Sequence, residues 1–213
     1  MLDPLIQKYT DTYSNVDDPI LEEVERSTHL HTIAPQMLSG RVQGKLLTWL
    51  ATLLQAEHIL ELGTFTGFSA ICLARGLKNS PHSKVVTIES NGELSFLIKK
   101  NLQLAGLENK IESLIGDALK IIPSRTEKWD IVYIDANKQE YIDYFNLVID
   151  QVRAGGLIIT DNVLWSGKVV FEPEDVDAKV IRQYNEMLKN DSRVEVIMLT
   201  IRDGLSIARK ISG

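Results

Sequence analysis

The spacing of apolar residues changes its period near residue 56. Before that point the pattern is helical, with segments predicted from Asp3 to Tyr13, from Pro19 to Leu30 and from Ser39 to Leu54. In the third segment Val42, Leu46, Leu50 and Leu53 recur at helical spacing, which leaves one apolar face. From His58 onward short β-rich runs take over, at His58–Leu62, Lys84–Glu89, Lys110–Ile115, Asp130–Asp135 and Leu157–Thr160. Helices are predicted between them over Gly67–Leu77, Asn91–Ala105 and Gln139–Val152, and Ser90 with Glu93 has the spacing of a capping box. Such alternation predicts a parallel sheet with helices on both faces. The end of the chain departs from it. After a helix at about Asp175–Lys189 come two β-like runs, Arg193–Thr200 and Leu205–Ile211, and Asp203-Gly204 between them is the signal of a tight antiparallel hairpin. The expectation is a single α/β domain over 1–213, with a helical N-terminal cap at 1–55, a core at 56–213 and a mainly parallel seven-stranded sheet closed by that hairpin.

Composition narrows the function classes. With 213 residues, 44% hydrophobic and 24% charged, the chain has the make-up of an ordinary globular protein. A net charge of −6 gives no general attraction to nucleic acid or anionic membrane, although a local basic patch is compatible with it. No apolar run approaches the roughly 20 residues that span a bilayer. The N-terminal residues lack the pattern of a signal peptide, so a cytoplasmic location is expected. The single cysteine, Cys72, excludes an intramolecular disulfide and a cysteine-based zinc cluster, and reads as a buried small residue. His29, His31, His58 and His82 do not converge and read as surface or boundary histidines.

Candidate chemistry gathers at the ends of the predicted strands. Glu61-Leu-Gly63-Thr-Phe-Thr-Gly67-Phe-Ser69 joins the first strand to the next helix. Its glycines permit close approach of backbone to a ligand, and the helix start beyond them offers N–H donors. A tight connection without a ligand explains the same turn, and the G-x-G-x-x-G fingerprint of pyrophosphate binding is absent. Glu89 ends the second strand, where a carboxylate can accept hydrogen bonds from ribose hydroxyls. Asp117 and Ala118 follow the third strand, where they can border an adenine, and Asp117 reads equally as a helix N-cap.

Asp135 closes the fourth strand, and Asp161-Asn162 closes the fifth. Were those strands neighbours, about 4.8 Å apart, the three side chains would converge at the carboxyl edge of the sheet. Two carboxylates and an amide oxygen form a hard set suited to Mg²⁺, Mn²⁺ or Ca²⁺. Any one of these residues alone reads as a strand terminator.

Glu61-Leu-Gly-Thr-Phe-Thr-Gly-Phe-Ser69, Tyr133-Ile-Asp-Ala-Asn-Lys138 and Asp161-Asn-Val-Leu-Trp-Ser-Gly167 together resemble the cation-dependent O-methyltransferases, the caffeoyl-CoA and catechol type. The resemblance runs from Gln43-Gly44 to Asp203-Gly204, and Asp161–Gly167 is its most specific part. It implies a Rossmann-like class I methyltransferase fold with extra N-terminal helices. It also implies S-adenosylmethionine as cofactor: Glu61, Gly63 and Ser69 at the methionine end, Met37 and Ser39 covering it, Glu89 on the ribose, and Asp117 and Ala118 by the adenine. Asp135 would serve cofactor and metal, with Asp161 and Asn162 completing the metal ligands. Lys138 matches the family's active-site lysine, and Trp165 would wall the acceptor ring or belong to the core. Three positions depart from the family pattern: Asn137 stands where an aspartate is frequent, Ser166 where an asparagine is frequent, and Gln43 where plant members carry an acid.

A phenolic hydroxyl has a pKa of about 10, so a dication beside it would favour the nucleophilic oxyanion, with Lys138 receiving or stabilising the proton. The expected acceptor is a catechol-like or hydroxycinnamoyl small molecule, and the family commonly forms homodimers. A hydroxylated wobble uridine in tRNA is the alternative acceptor. An NAD-dependent oxidoreductase and a non-catalytic nucleotide-binding module are alternatives of other classes. The missing third glycine and the terminal hairpin count against the former, and the retained lysine and metal ligands against the latter.

Overall fold

The computed structural model describes residues 4–211, so the predicted helix start at Asp3 lies outside the described residues. Seven strands form one sheet among these residues: β1 (His58–Leu62), β2 (Lys84–Glu89), β3 (Ile111–Ile115), β4 (Trp129–Ile134), β5 (Val152–Asp161), β6 (Val194–Leu199) and β7 (Leu205–Lys210). Their order is β3-β2-β1-β4-β5-β7-β6, with β7 antiparallel to both of its neighbours. Among the described residues nine α-helices accompany them: α1 (Pro4–Thr12), α2 (Pro19–His31), α3 (Arg41–Leu53), α4 (Phe68–Arg75), α5 (Ser95–Leu104), α6 (Ala118–Ile121), α7 (Tyr141–Val148), α8 (Lys168–Phe171) and α9 (Val176–Asn190). No helix among the described residues is long and apolar enough to cross a membrane.

The described residues divide into two compact units, one of 58–63 with 117–211, the other of 4–57 with 64–116. In the first unit β1, β4 and β5 run parallel. Ile59, Leu60 and Leu62 of β1 and Ile131 to Ile134 of β4 are wholly buried, as expected of strands covered on both faces. Tyr141 and Phe145 of α7 meet the Tyr184 ring of α9 edge-on, with centroids 5.4 and 6.5 Å apart. In the second unit β2 and β3 pair in parallel. There Asp18 caps α2 by accepting from the Ile20 and Leu21 amides, and its carboxylate also meets the Arg75 guanidinium.

Two local expectations are corrected. The segment predicted as helix to Val152 stops at Val148. Residues from Val152 onward form β5 instead, because Val152 finds a ladder partner in Trp129. The capping box at Ser90 does not form. The cap is Asn91, whose Oδ1 accepts from the Glu93 amide at 3.0 Å and starts a 3₁₀ turn before α5. The expected antiparallel hairpin forms, with residues 200–204 between β6 and β7. Within that connection the Asp203 carboxylate accepts from the Ser166 amide and meets the Asn162 side chain.

Candidate functional site

In the first unit, parallel pairing of β4 with β5 sets Ile134 opposite Thr160. The next residues, Asp135 and Asp161, are therefore placed side by side at the carboxyl edge, as anticipated. Asp161 is buried. Its Oδ2 accepts from the Tyr133 hydroxyl at 3.0 Å and its Oδ1 from the Asn162 amide at 2.8 Å. The Tyr141 hydroxyl donates to the Asp161 carbonyl at 3.0 Å. Burial, then the charges of Asp135 and Asp161, raise the Tyr141 pKa well above its ordinary value, so the hydroxyl stays protonated and remains a donor. Lys138 Nζ donates to Asp135 Oδ1 at 3.0 Å and to the Ala136 carbonyl at 3.1 Å, and lies 5.4 Å from the centre of the Tyr141 ring. The sequence motif thus becomes a charged cluster in which a lysine faces the first aspartate.

The loop after β5 carries unusual backbone. Asn162, Trp165 and Ser166 all have positive φ, at 59°, 46° and 53°. Such geometry costs of order 1–3 kcal/mol per residue and persists where surroundings impose it. Here the imposing element is the β6–β7 connection. The Asp203 carbonyl accepts from the Leu164 amide at 2.9 Å, the Gly204 carbonyl from the Val163 amide at 3.2 Å, and the Asp203 carboxylate from the Ser166 amide. Asn162 Nδ2 lies 3.5 Å from Asp203 Oδ2, which turns the amide oxygen the other way. Trp165 is half-buried and so belongs to the loop rather than the deep core.

Among the described residues no group of three or more His, Cys, Asp or Glu side chains is arranged to hold a metal. The candidate set therefore rests on two carboxylates and one amide. Its chemistry fits a hard divalent cation: all three donors are oxygens, and two carboxylates on adjacent strand ends favour a positive charge beside them.

Gly63 and Glu61 also belong to this unit. A Cβ on Gly63 would lie 2.0 Å from the Asp135 carbonyl oxygen, so the glycine lets β1 and β4 close at their ends. Glu61 has no exposed surface on β1, opposite Tyr133 in register. A carboxylate so buried must be met by donors or a cation. Asp117 caps α6, accepting from the Leu119 amide at 3.0 Å, and pairs with Lys120 at 3.1 Å. The Lys120 bond, aided by the backbone donors, holds its pKa below the usual carboxylate range. Ala118 beside it is buried.

In the second unit Glu89 receives two backbone donors: the Phe65 amide on Oε2 at 2.8 Å and the Asn91 amide on Oε1 at 2.9 Å. The carboxylate predicted to meet a ribose thus also holds the glycine turn. That turn is tied further by the Thr64–Thr87 and Thr28–Thr66 hydroxyl pairs and by Asn101, which donates to the Thr66 carbonyl at 2.8 Å. Ser69, in the first turn of α4, is buried. Ser39 is buried too, whereas Met37, on a 3₁₀ turn, is 58% exposed.

Tyr133, Tyr141 and Asp203 were not singled out from the sequence. Tyr133 is detectable once register is known, since parallel neighbours with Tyr133 opposite Ile159 put Asp161 two residues further along the same face. Asp203 offered no signal beyond its turn dipeptide.

A parallel sheet closed by an antiparallel strand pair, with a glycine turn after β1 and an acid ending β2, defines a Rossmann-like class I methyltransferase. The chain belongs to the O-methyltransferase family, whose profile matches residues 10–211. Caffeoyl-CoA O-methyltransferase 1 of Nicotiana tabacum is 33% identical over 189 residues, covering 83% of this chain and 78% of that protein. Catechol O-methyltransferase of Mycobacterium tuberculosis is 34% identical over 186 residues, covering 87% and 83%. The crystal structure of the O-methyltransferase TomG from Streptomyces achromogenes, in complex with SAM, matches with a TM-score of 0.87 at 31% identity and covers 100% of both chains. The chain is accordingly an S-adenosylmethionine-dependent O-methyltransferase, and the oxidoreductase and non-catalytic readings are set aside.

Proposed function

We propose that the enzyme methylates a hydroxyl of a small catechol-like or hydroxycinnamoyl acceptor, assisted by a divalent cation, Mg²⁺ foremost, on Asp135, Asp161 and Asn162. The observation that carries this reading is the juxtaposition of Asp135 and Asp161 at adjacent strand ends with Lys138 on the former. The similarity to caffeoyl-CoA and catechol O-methyltransferases supports the acceptor class. When bound, the cation supplies Lewis acidity and orientation to the acceptor hydroxyl.

The chain's own residues do the rest. Glu61, Gly63 and Ser69 hold the methionine end of the cofactor under Met37 and Ser39. Glu89 takes the ribose, and Asp117 and Ala118 flank the adenine. Two of the three Lys138 N–H donors are engaged by Asp135 and Ala136, and the third steadies the negative charge on the acceptor oxygen as its proton passes to solvent water. That oxygen attacks the sulfonium methyl carbon, the carbon–sulfur bond breaks, and S-adenosylhomocysteine departs as a neutral thioether. Trp165 lines the acceptor ring.

Turnover with and without chelator tests the cation. Chelation should abolish methyl transfer and Mg²⁺ or Mn²⁺ restore it, while Asp161→Ala stays folded and inactive. Full activity of metal-free enzyme would overturn the cation reading. Catechols, hydroxycinnamoyl thioesters and hydroxylated tRNA compared as acceptors test the substrate, and turnover on tRNA alone would overturn the small-molecule assignment. A homodimer is part of the same reading, because α1 exposes Leu5 and Tyr9, and Tyr13 just after it is exposed too. Light scattering at micromolar concentration should give the dimer mass, and a monomer would refute it.

A further inference from the structure

Asp161 is gripped by two buried tyrosines with different tasks. Tyr141 donates to its backbone carbonyl and so fixes where β5 ends. Tyr133 donates to the side chain, its hydroxyl 3.0 Å from Oδ2, while the Asn162 amide holds Oδ1 at 2.8 Å. Donors on both oxygens leave the carboxylate no freedom to rotate about its Cβ–Cγ bond. A carboxylate oxygen has two lone-pair directions, so accepting one donor is compatible with meeting a cation as well.

The Tyr133 ring has no exposed surface and fills the core beneath the β4–β5 edge. A phenylalanine would fill that space equally well. A hydroxyl placed there has to be hydrogen-bonded, and the carboxylate is what it meets.

We propose that Tyr133 is a positioning residue for the divalent cation, presetting Asp161 in the orientation that receives the metal. This inference rests on the cation reading above. Partners of this kind fix the orientation of metal ligands, and their removal typically weakens metal affinity by about 10–100-fold. The role does not involve the methyl donor, so cofactor affinity is expected to be indifferent to the hydroxyl.

The experiment compares wild-type protein with Tyr133→Phe, measuring Mn²⁺ affinity by calorimetry and by the electron paramagnetic resonance signal of free Mn²⁺. S-adenosylhomocysteine affinity is measured in parallel on the metal-free proteins. The expected result is a loss of about 10–100-fold in Mn²⁺ affinity with unchanged S-adenosylhomocysteine affinity and a native near-ultraviolet circular dichroism spectrum. Equal Mn²⁺ affinity in the two proteins overturns the positioning role and leaves the cation reading intact. A parallel loss of both affinities also overturns it, because that is the mark of a merely structural residue. Absence of Mn²⁺ binding by the wild type overturns the cation reading and this inference together. Should the phenylalanine variant not fold, Tyr133→Leu, which lacks the hydroxyl without crowding the core, enters the same measurements.

Discussion

Gly63→Ala adds a single carbon where β1 and β4 close at their ends. At Gly63 φ is +93°, a conformation that costs a residue with a Cβ about 1–2 kcal/mol. The new Cβ would also lie 2.0 Å from the Asp135 carbonyl oxygen and 2.7 Å from its carbon. These are backbone atoms and cannot swing aside. The Asp135 amide is itself bonded to the Leu62 carbonyl at 2.8 Å, so relief requires β1 and β4 to part at their ends. Overpacking of this kind typically costs about 1–3 kcal/mol, which with the φ term gives about 2–5 kcal/mol. For a chain of this size each kcal/mol lowers the melting temperature by about 2–4 °C, so a drop of about 4–20 °C is expected. Gly106→Ala is the matched control, because Gly106 also has positive φ (+64°) but nothing within 4 Å of a Cβ. It should lose only the φ term, about 2–8 °C. Reversible calorimetric melts of the two variants isolate the clash. If the two variants melted at the same temperature, the close approach of Gly63 to Asp135 would not be part of the fold's energetics, and the reasoning would fail.

Glu89→Ala should weaken cofactor binding by about 1.5–3 kcal/mol, the worth of hydrogen bonds to a charged group, and lower stability as well, since the Phe65 and Asn91 amides lose their acceptor. Calorimetry with S-adenosylhomocysteine on the metal-free protein reads the first effect, and unchanged affinity in a folded variant would remove Glu89 from the cofactor site. Lys138→Met should lower kcat by about 10²–10³-fold with little change in KM for the cofactor, and an undiminished kcat would refute its role. Asp18→Asn keeps an N-cap but loses the Arg75 ion pair. Burial opposes the Asp18 charge, yet the Leu21 amide and Arg75 outweigh it and hold its folded pKa below the ordinary 3.8. A depressed folded pKa adds stability above the unfolded value and loses it as pH falls through the folded one. Urea unfolding should therefore show wild type more stable than the variant at pH 7, with the gap closing only below about pH 4. A gap independent of pH would contradict the ion pair.

What the residues determined by themselves was local. Short β-rich runs set between helical stretches let β1 and β2 be bounded to the residue, and the change from helical to strand period marked where the sheet begins. The candidate ligands were legible for a related reason: Asp135 and Asp161-Asn162 each follow an apolar run and so sit at a strand's carboxyl end. The S-x-x-E spacing at Ser90 misled because Asn91 competes for the same amides one residue later. Tertiary structure alone decided pairings that depend on which strands are neighbours. Register brought the Tyr133 hydroxyl onto Asp161, although the two lie 28 positions apart in the chain. The β6–β7 connection reached back to hold Asn162 and Ser166 through Asp203. Val152 became strand rather than helix because Trp129 was there to pair with it. A side chain's periodicity reports the face on which it lies, whereas its hydrogen-bond partner is set by a contact across the sheet that local spacing does not encode.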